Sequence, residues 1–180
     1  MVFIDEFDEI ASARERNPAT KGVVNELLKL IPSFRSTPGH LLVCATNFVG
    51  EIDSAVLRPG RFDLVISIGP PDLDARRSLW QACLAPIDHR PDDSVAAADP
   101  AGHDHSVSVL AERTDGFTPG DIELAAQRAA AAAFDRIRAG LEPGFVTSGD
   151  LTAAVERTIP SVPLDVQQRF ADDVTTFSRV

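Results

Sequence analysis

Cysteine and positive charge are both scarce in this sequence. Its only two cysteines, Cys44 and Cys83, lie inside apolar segments with no C-x-x-C spacing. Two such thiols indicate small core residues in a reducing compartment and argue against a disulfide framework or a metal site. Lysine and arginine total 17 against 27 aspartates and glutamates, which gives a net charge of −10. This balance argues against non-specific nucleic-acid binding, because phosphate contacts need clustered Lys and Arg.

Long apolar runs are absent as well. No uninterrupted run approaches the roughly 18 residues that span a bilayer, and no basic region followed by an apolar stretch opens the chain. We therefore expect a cytoplasmic protein with no membrane segment and no signal peptide. With 180 residues, 44% of them hydrophobic, the chain is long enough for one medium domain or two small lobes.

The first residues carry the most informative local pattern. Met1–Ile4 is a continuous apolar run that ends at two carboxylates, Asp5 and Glu6. Such a run is typical of a parallel strand buried on both faces, with the acids at its carboxyl end, where open α/β sheets bind ligands. One carboxylate could hold Mg²⁺, and the other could accept a proton from an attacking water. The alternative is a strand that simply ends in solvent.

A helix and a second apolar strand follow. Residues 20–31 have apolar residues at helical spacing, Pro32 is predicted to end this helix, and Leu41–Asn47 reads as a strand that stops at a polar residue. Strand, helix and strand predict a parallel pair with a right-handed crossover. Asn47 would then lie at the same sheet edge as the two acids, unless it only caps the following turn.

A turn with two arginines precedes a change in composition. Arg58 and Arg61 flank a Pro-Gly pair, and they could be ligand-binding groups or plain surface charges. A third strand is predicted at Leu64–Ile68, and the chain becomes mostly helical after about residue 70. The predicted fold class is therefore α/β: a partial parallel sheet of three strands in residues 1–70, followed by an all-helical lobe in residues 71–180.

The second lobe contains a clear helix start. Thr118 suits the N-cap, Pro119 the first helical position and Asp121 the positive end of the helix dipole. The apolar stripe of this helix is predicted to reach Ile137, and Trp80 on an earlier helix is predicted to be core. A further helix is predicted to start at residues 147–150. The polar stretch 86–105 has no predicted role, although its His103-Asp104-His105 could bind a metal.

Taken in order, these motifs resemble those of the AAA ATPase family, of the Cdc48/FtsH type, over nearly the whole chain. The resemblance rests on Phe3-Ile-Asp5-Glu6 with Asp8 and Ile10 (Walker B), Asn25-Glu-Leu-Leu, Ala45-Thr-Asn47 (sensor 1), Ile52-Asp53 through Phe62-Asp63 (second region of homology), Pro71-Asp72 with Arg76 (entry to the lid), Gly116 through Asp121 (lid motif) and Pro160-Ser-Val162. It implies a P-loop NTPase sheet followed by a helical AAA lid.

The resemblance also implies a role for each site residue in Mg²⁺-dependent ATP hydrolysis. Asp5 would help to coordinate Mg²⁺, Glu6 would polarise the attacking water, and Asn47 would orient that water near the γ-phosphate. Arg58 and Arg61 would reach into the nucleotide site of a neighbouring subunit. There they would stabilise charge on the transferring phosphoryl group, which is worth about 10³–10⁵ in rate.

Further expectations concern the lid and the partners. The resemblance implies nucleotide contacts at Gly120 and Asp121, ATP and Mg²⁺ as cofactors, and a homo-hexameric ring of the full-length protein. Arg14–Thr20 would be a pore loop that faces a polypeptide substrate, although its arginines could be ordinary solvated charges. No specific nucleic acid is expected as a partner.

Some features depart from the family pattern. No G-x-x-x-x-G-K-[ST] phosphate loop occurs in these 180 residues, so we expect a fragment or truncated reading frame that does not turn over ATP alone. The strand that carries this loop would be central in the sheet, so Leu64–Ile68 would lose its partner and its backbone would need other pairing. In addition, Cys83 stands where many relatives have a histidine beside the adenine, Pro119-Gly120 replaces Gly-Ala, and Ile31-Pro32-Ser33 replaces Met-Asp-Gly.

Two function hypotheses result. The first is part of an AAA-type ATPase, in which ATP hydrolysis is coupled to protein remodelling or unfolding in a ring. The alternative is a non-catalytic AAA-like interaction module that docks into a ring of complete subunits and supplies Arg58 and Arg61 in trans. The DNA upstream of Met1 would separate them, because an in-frame phosphate loop favours truncation and a promoter with a ribosome-binding site favours a separate module.

Overall fold

The computed structural model describes residues 1–13, 20–90 and 105–179. The predicted pore-loop arginines Arg14 and Arg16 lie outside the described residues. So do most of the 86–105 insertion and its suggested metal ligands His103 and Asp104.

The chain divides into two compact units. The first is Met1–Ile68 together with Arg169–Val180, and the second is Gly69–Gln168. Residues 169–180, which the sequence analysis grouped with the helical lobe, are thus part of the first unit.

The first unit is built on a strand–helix–strand arrangement. Its elements are β1 (Val2–Ile4), α1 (Phe7–Ala11), α2 (Lys21–Arg35), β2 (Leu42–Cys44) and a 3₁₀ turn (Val49–Glu51). Strands β1 and β2 pair in parallel, with Val2 opposite Leu42 and Ile4 opposite Cys44. The parallel pair agrees with the prediction, and it brings the carboxyl ends of both strands to one edge.

Helix α2 continues through Pro32 to Arg35, so the prediction that this proline ends the helix is wrong. A proline removes only its own donor from the helix ladder, and neighbouring bonds hold the last turns. Ser33 Oγ donates to the Leu30 carbonyl at 2.9 Å, and Ser36 N donates to the Pro32 carbonyl at 3.1 Å.

The segment predicted as the third strand, Leu64–Ile68, does not form one. Within the described residues the first unit contains only the β1–β2 ladder, so the predicted sheet of three strands is corrected to two. Val65 instead makes an isolated antiparallel bridge with Arg179. Val65 N donates to the Arg179 carbonyl at 2.9 Å, and Arg179 N donates to the Val65 carbonyl at 3.0 Å. The backbone N–H and carbonyl of Val65 thus find pairing outside a sheet.

The first unit has a small core and exposed strands. Its buried cluster consists of Phe7, Ala11, Val24, Ile31, Ile52 and Val56. The strands are not buried on both faces as predicted, because Phe3 is 58% and Val43 is 38% exposed. Leu64, Ile66 and Ile68 are exposed as well. Burial of apolar surface drives folding. The exposed apolar side chains of this unit therefore contribute little to its stability.

The second unit is mainly helical. Its elements are α3 (Leu73–Leu84), β3 (His89–Arg90), α4 (His105–Arg113), α5 (Pro119–Arg138), β4 (Val146–Thr147), α6 (Ser148–Arg157) and the start of α7 (Leu164–Phe177). Strands β3 and β4 pair in parallel, with His89 opposite Val146, so the lobe is not all-helical as predicted. Strands of two residues are too short to show the alternation by which a sequence indicates a strand.

The core of the second unit is continuous. It contains Trp80, Leu84, Val107, Leu110, Ala111, Phe117, Ile122, Ala125, Ala126, Ala129, Ala133, Val146, Leu151, Ala154 and Val155. Trp80 is fully buried as predicted, and its Nε1 donates to Thr114 Oγ1 at 3.1 Å. Ile137 was predicted to extend the apolar stripe of α5 but is 49% exposed, because the stripe ends at Ala133.

Both predicted helix starts are confirmed. Thr118 caps α5 and Thr147 caps α6, and each forms a capping box with the aspartate three residues later, Asp121 and Asp150 respectively. None of the helices in the described ranges is long and apolar enough to cross a membrane.

Candidate functional site

The carboxyl edge of the β1–β2 pair brings the predicted acids and amide to one place. The pairing extends past the strands, because Ala45 N donates to the Ile4 carbonyl at 2.9 Å. Asp5 and Glu6 follow β1 directly, and Asn47 lies shortly after the end of β2. All three side chains are exposed. They can therefore contact a ligand at this edge, where parallel sheets place their binding sites.

The backbone at Glu6 is in an uncommon conformation. Its φ of 49° and ψ of 47° are left-handed, which costs an ordinary L-residue about 1–2 kcal/mol. Glu6 is the N-cap of α1, yet its side chain makes no capping bond. The Asp5 Oδ1 atom accepts a hydrogen bond from Glu6 N at 2.9 Å, which fixes the turn between the two acids. Strained residues of this kind are concentrated at functional sites.

A chain of hydrogen bonds that the sequence analysis missed joins the two loops of this edge. Thr46 Oγ1 donates a short hydrogen bond to Asp8 Oδ1 and accepts a bond from Phe48 N at 3.0 Å. Thr46 precedes Asn47, and Asp8 lies in the first turn of the helix that Glu6 caps. The bond therefore ties the position of Asn47 to the helix beside the acids. Both partners belong to recognised motifs, but a contact between residues so distant along the chain has no local signal in the sequence.

Arg58 and Arg61 lie at the two ends of a tight turn. Arg61 N donates to the Arg58 carbonyl at 3.2 Å, and Gly60 has a φ of 88°. Proline at the second position and a positive-φ glycine at the third are typical of a type II turn. Arg58 is exposed, whereas Arg61 is half-buried and donates a short hydrogen bond from Nη1 to the Ala55 carbonyl. The two arginines are therefore not equivalent.

Further contacts anchor the segment that carries this turn, which we call the arginine segment (residues 53–65). At its start, Asp53 N donates to the Ala11 carbonyl at 2.8 Å. Near its end, Arg35 Nε and Nη2 donate to the two oxygens of Asp63 at 2.8 and 2.6 Å. The hydrogen bond from Arg35 lowers the pKa of Asp63. Because both side chains are about half exposed, this pair orients the segment more than it stabilises the fold.

In the second unit, the Asp121 carboxylate accepts several hydrogen bonds from within the protein. These come from Thr118 N at 2.9 Å and from Ser161 N at 3.1 and 3.2 Å, and both hydroxyl groups add further bonds. Burial raises the pKa of Asp121, but these hydrogen bonds outweigh it and the net pKa is lowered. Ser161 was not predicted as a partner, because it lies 40 residues away along the chain. Asp121 thus links the start of α5 to the segment that precedes α7.

The neighbouring residue, Gly120, has few atoms of its own unit close to the position that a Cβ would take. A Cβ added at Gly120 would meet only Thr118 Oγ1, at 3.8 Å. This is an ordinary van der Waals distance, so the fold of this unit does not itself require glycine at that position.

The acids at the sheet edge have the donor chemistry that Mg²⁺ prefers, namely carboxylate oxygen. Among the described residues no group of three or more His, Cys, Asp or Glu side chains could hold a metal by itself. Mg²⁺ at nucleotide sites usually takes one or two carboxylates and completes its shell with phosphate and water oxygens. Asp5 and Glu6 therefore fit an ion that arrives together with a nucleotide.

Comparison with known sequences places the chain among AAA proteins. Residues 1–70 match the AAA family, described as the ATPase family associated with various cellular activities. The chain is 35% identical over 133 residues to the ATP-dependent zinc metalloprotease YME1 homolog of Caenorhabditis elegans, a match that covers 72% of this chain and 17% of that protein. It is 34% identical over 165 residues to the ATP-dependent zinc metalloprotease FtsH of Parabacteroides distasonis, covering 88% of this chain and 22% of that protein.

Solved structures show the same fold. The crystal structure of the FIGL-1 AAA domain superposes with a TM-score of 0.73 at 23% identity, and the match covers 98% of this chain and 57% of that chain. The chain spans about a fifth of the length of the curated relatives it matches. The similarity therefore concerns the AAA part of those larger proteins and not their activity as a whole.

Proposed function

The chain belongs to the AAA ATPase family, and we propose that it is the Walker B, sensor 1, arginine-turn and lid portion of a Mg²⁺-dependent ATP hydrolase. The observation that supports the proposal is that exposed Asp5, Glu6 and Asn47 follow the carboxyl ends of the parallel β1–β2 pair. In this assignment the first unit, residues 1–68 with 169–180, contributes to the nucleotide-binding domain, and the second unit, residues 69–168, forms the lid.

Each residue at the edge has a role that its environment supports. Asp5 would hold Mg²⁺, which supplies positive charge to the phosphates of the bound nucleotide. Glu6, whose exposed carboxylate makes no capping bond, would accept a proton from the attacking water. Asn47, tied to α1 through Thr46 and Asp8, would orient that water.

The lid would contact the nucleotide through Gly120 more directly than through Asp121. Within its own unit only Thr118 Oγ1, at 3.8 Å, would contact a Cβ at Gly120, and close approach of a ligand is one reason for a glycine. The buried Asp121 carboxylate already accepts hydrogen bonds from Thr118 and Ser161, so we expect it to shape the lid motif more than to contact the ligand.

The phosphate-binding part would come from polypeptide outside these 180 residues, which contain no G-x-x-x-x-G-K-[ST]. The exposed apolar faces of β1, β2 and Leu64–Ile68 support this part of the proposal, because they provide surface for further chain to pack on. So does the FIGL-1 AAA domain, of which this chain covers 57%.

The whole protein would act in a ring on a polypeptide substrate. Two of the similar proteins are named as ATP-dependent zinc metalloproteases, which favours a polypeptide substrate. In a ring, which by resemblance to the family would be a homo-hexamer, Arg58 would reach the nucleotide of the neighbouring subunit and stabilise charge on the transferring phosphoryl group.

A chimaera tests the proposal. Residues 1–180 are joined to the part of Parabacteroides distasonis FtsH that precedes the aligned region, and Mg²⁺-dependent ATP hydrolysis and ATP binding are measured. Glu6→Gln should lower hydrolysis by at least about 10²-fold and leave ATP binding intact, because only proton transfer is lost. Glu9→Gln is the matched control, since Glu9 is an exposed acid on the same helix. Equal hydrolysis by wild type and Glu6→Gln would refute the assignment.

The exposure of Arg58 favours a second candidate function. A non-catalytic module could dock into a ring of complete subunits and supply Arg58 in trans, with Arg61 supporting the turn. In the chimaera this candidate predicts no hydrolysis by any variant. It also predicts that the 180-residue chain, but not Arg58→Ala, raises the ATPase rate of a complete AAA subunit that lacks its own arginine pair.

A further inference from the structure

The C-terminal end of the described chain lies against the arginine segment. Arg179 Nη2 donates a hydrogen bond to the Leu57 carbonyl, and the Arg179 backbone makes both hydrogen bonds of the bridge with Val65. Ser178 Oγ adds a longer bond to the Val65 carbonyl at 3.4 Å. All of these residues belong to the first unit.

These contacts fall on both sides of the turn that carries Arg58 and Arg61. Leu57 immediately precedes Arg58, and Val65 follows the turn. A single residue thus holds the chain where it enters the turn and where it leaves it. A guanidinium donor is suited to this task, because a charge-assisted bond to a carbonyl is stronger than a neutral one.

Within the turn, only one of the two arginines has its guanidinium committed to a described intramolecular bond. Arg61 donates to the Ala55 carbonyl, while Arg35 holds Asp63 just beyond the turn. Arg58 is the exposed member of the pair. The direction in which the Arg58 side chain points into solvent therefore depends on how firmly the backbone on either side of the turn is held.

We propose that Arg179 is a positioning residue for Arg58, and that Arg61 supports the same turn from inside. The C-terminal residues act as a clasp that fixes the arginine turn from both sides. This inference rests on the proposed function only in giving Arg58 a nucleotide as its target. The clasp itself is a property of this chain and can be measured without any nucleotide.

The test is residue-resolved NMR on the purified 180-residue chain. Amide hydrogen exchange and the relaxation of the Arg58 Nε–H signal are compared in wild type, Arg179→Ala, Arg179→Lys and Arg169→Ala. Arg169 is the matched control, because it is an exposed arginine on the same C-terminal segment. Arg179→Ala should raise exchange at Arg61 and Val65 by about tenfold, the scale of one charge-assisted hydrogen bond. It should also make the Arg58 side chain more mobile.

The remaining variants decide between positioning and general stabilisation. Arg179→Lys should recover part of the protection, because an ammonium group can still donate to the Leu57 carbonyl, and Arg169→Ala should behave as wild type. The proposal is overturned if Arg179→Ala raises exchange equally at Val24 and Ile31 in the core of the same unit, or if Arg61 and Arg58 do not respond. Failure of the ATPase assignment would leave these signals unchanged, so the two failures are distinguishable.

Discussion

The two units of this chain bury their apolar side chains to very different extents. The second unit encloses Trp80 and Ile122 in a continuous helical core, while the first has a small cluster around Phe7 and leaves Phe3 and Ile68 exposed. The residues proposed for hydrolysis all lie in the less complete unit. The proposed chemistry would thus belong to the unit with the smaller buried core, whereas the second unit encloses more of its own apolar side chains.

The largest loss of stability is expected from a substitution in the core of the second unit. Trp80→Ala should lower the free energy of unfolding of this unit by about 3–5 kcal/mol, because it empties a fully buried site and leaves the Thr114 hydroxyl without the indole donor. Urea unfolding followed by circular dichroism measures this change. Phe134→Ala is the control, since this aromatic residue of the same unit is 59% exposed. A similar loss in both variants would mean that the core is not where stability resides.

A smaller loss of stability is expected at low pH, where Asp150 becomes protonated. The hydrogen bonds of Arg136 to Asp150, together with the helix-capping bonds from Thr147, lower the Asp150 pKa to about 2 from an ordinary 3.8. Because the folded pKa is depressed, this stabilisation is present above about pH 4 and is lost as the pH falls toward 2. Asp150→Asn should cost about 1–2 kcal/mol at neutral pH and flatten the acid dependence of unfolding.

Urea midpoints at about pH 6 and about pH 2.5 measure this dependence. The control is Asp135→Asn, because Asp135 is exposed on the surface of α5. If Asp150→Asn loses as much stability in acid as wild type does, the pair with Arg136 is not a source of the acid sensitivity. The exposed pair of Arg35 and Asp63 in the first unit should contribute less, because solvent screens it.

The next largest loss of stability is expected from removal of a helix cap. Thr118→Ala removes the hydroxyl that caps α5 and that also bonds to Asp121, and it should cost about 1 kcal/mol. Thr118→Ser keeps the hydroxyl and is expected to recover most of that loss. Thermal unfolding of the three proteins checks the prediction, and no difference between alanine and serine would contradict it.

The smallest effect is expected on the exposed surface of the first unit. Ile66→Ser should change the free energy of unfolding by less than about 0.5 kcal/mol, because Ile66 is 66% exposed in the chain as it stands. Ile31→Ser is the contrasting variant, since Ile31 is 4% exposed in the core of the same unit. A large loss of stability in Ile66→Ser would show that some part of the chain already covers this surface.

The sequence was sufficient for the local features of both units. The strand–helix–strand order around Asp5 and Asn47, the caps at Thr118 and Thr147 and the burial of Trp80 follow from patterns within a few residues. These patterns succeed because the physical cause of each feature lies close to it in the chain.

Features that depend on distant residues were not predictable in the same way. The Thr46–Asp8 and Asp121–Ser161 bonds and the bridge of Val65 to Arg179 join segments far apart in sequence. The helix through Pro32 depends on neighbouring bonds that offset one lost donor. The third strand at Leu64–Ile68 was predicted from an apolar pattern, but a strand also requires a partner strand beside it.

Hydrogen exchange across the whole chain is the most direct test of the difference between the units. We predict that the most protected amides of α3 and α5 exchange at least about a hundredfold more slowly than those of β1 and β2, because the second unit has a complete core and the first does not. Equal protection in the two units would contradict the central claim. It would mean that the unit bearing Asp5, Glu6 and Asn47 is complete without further polypeptide.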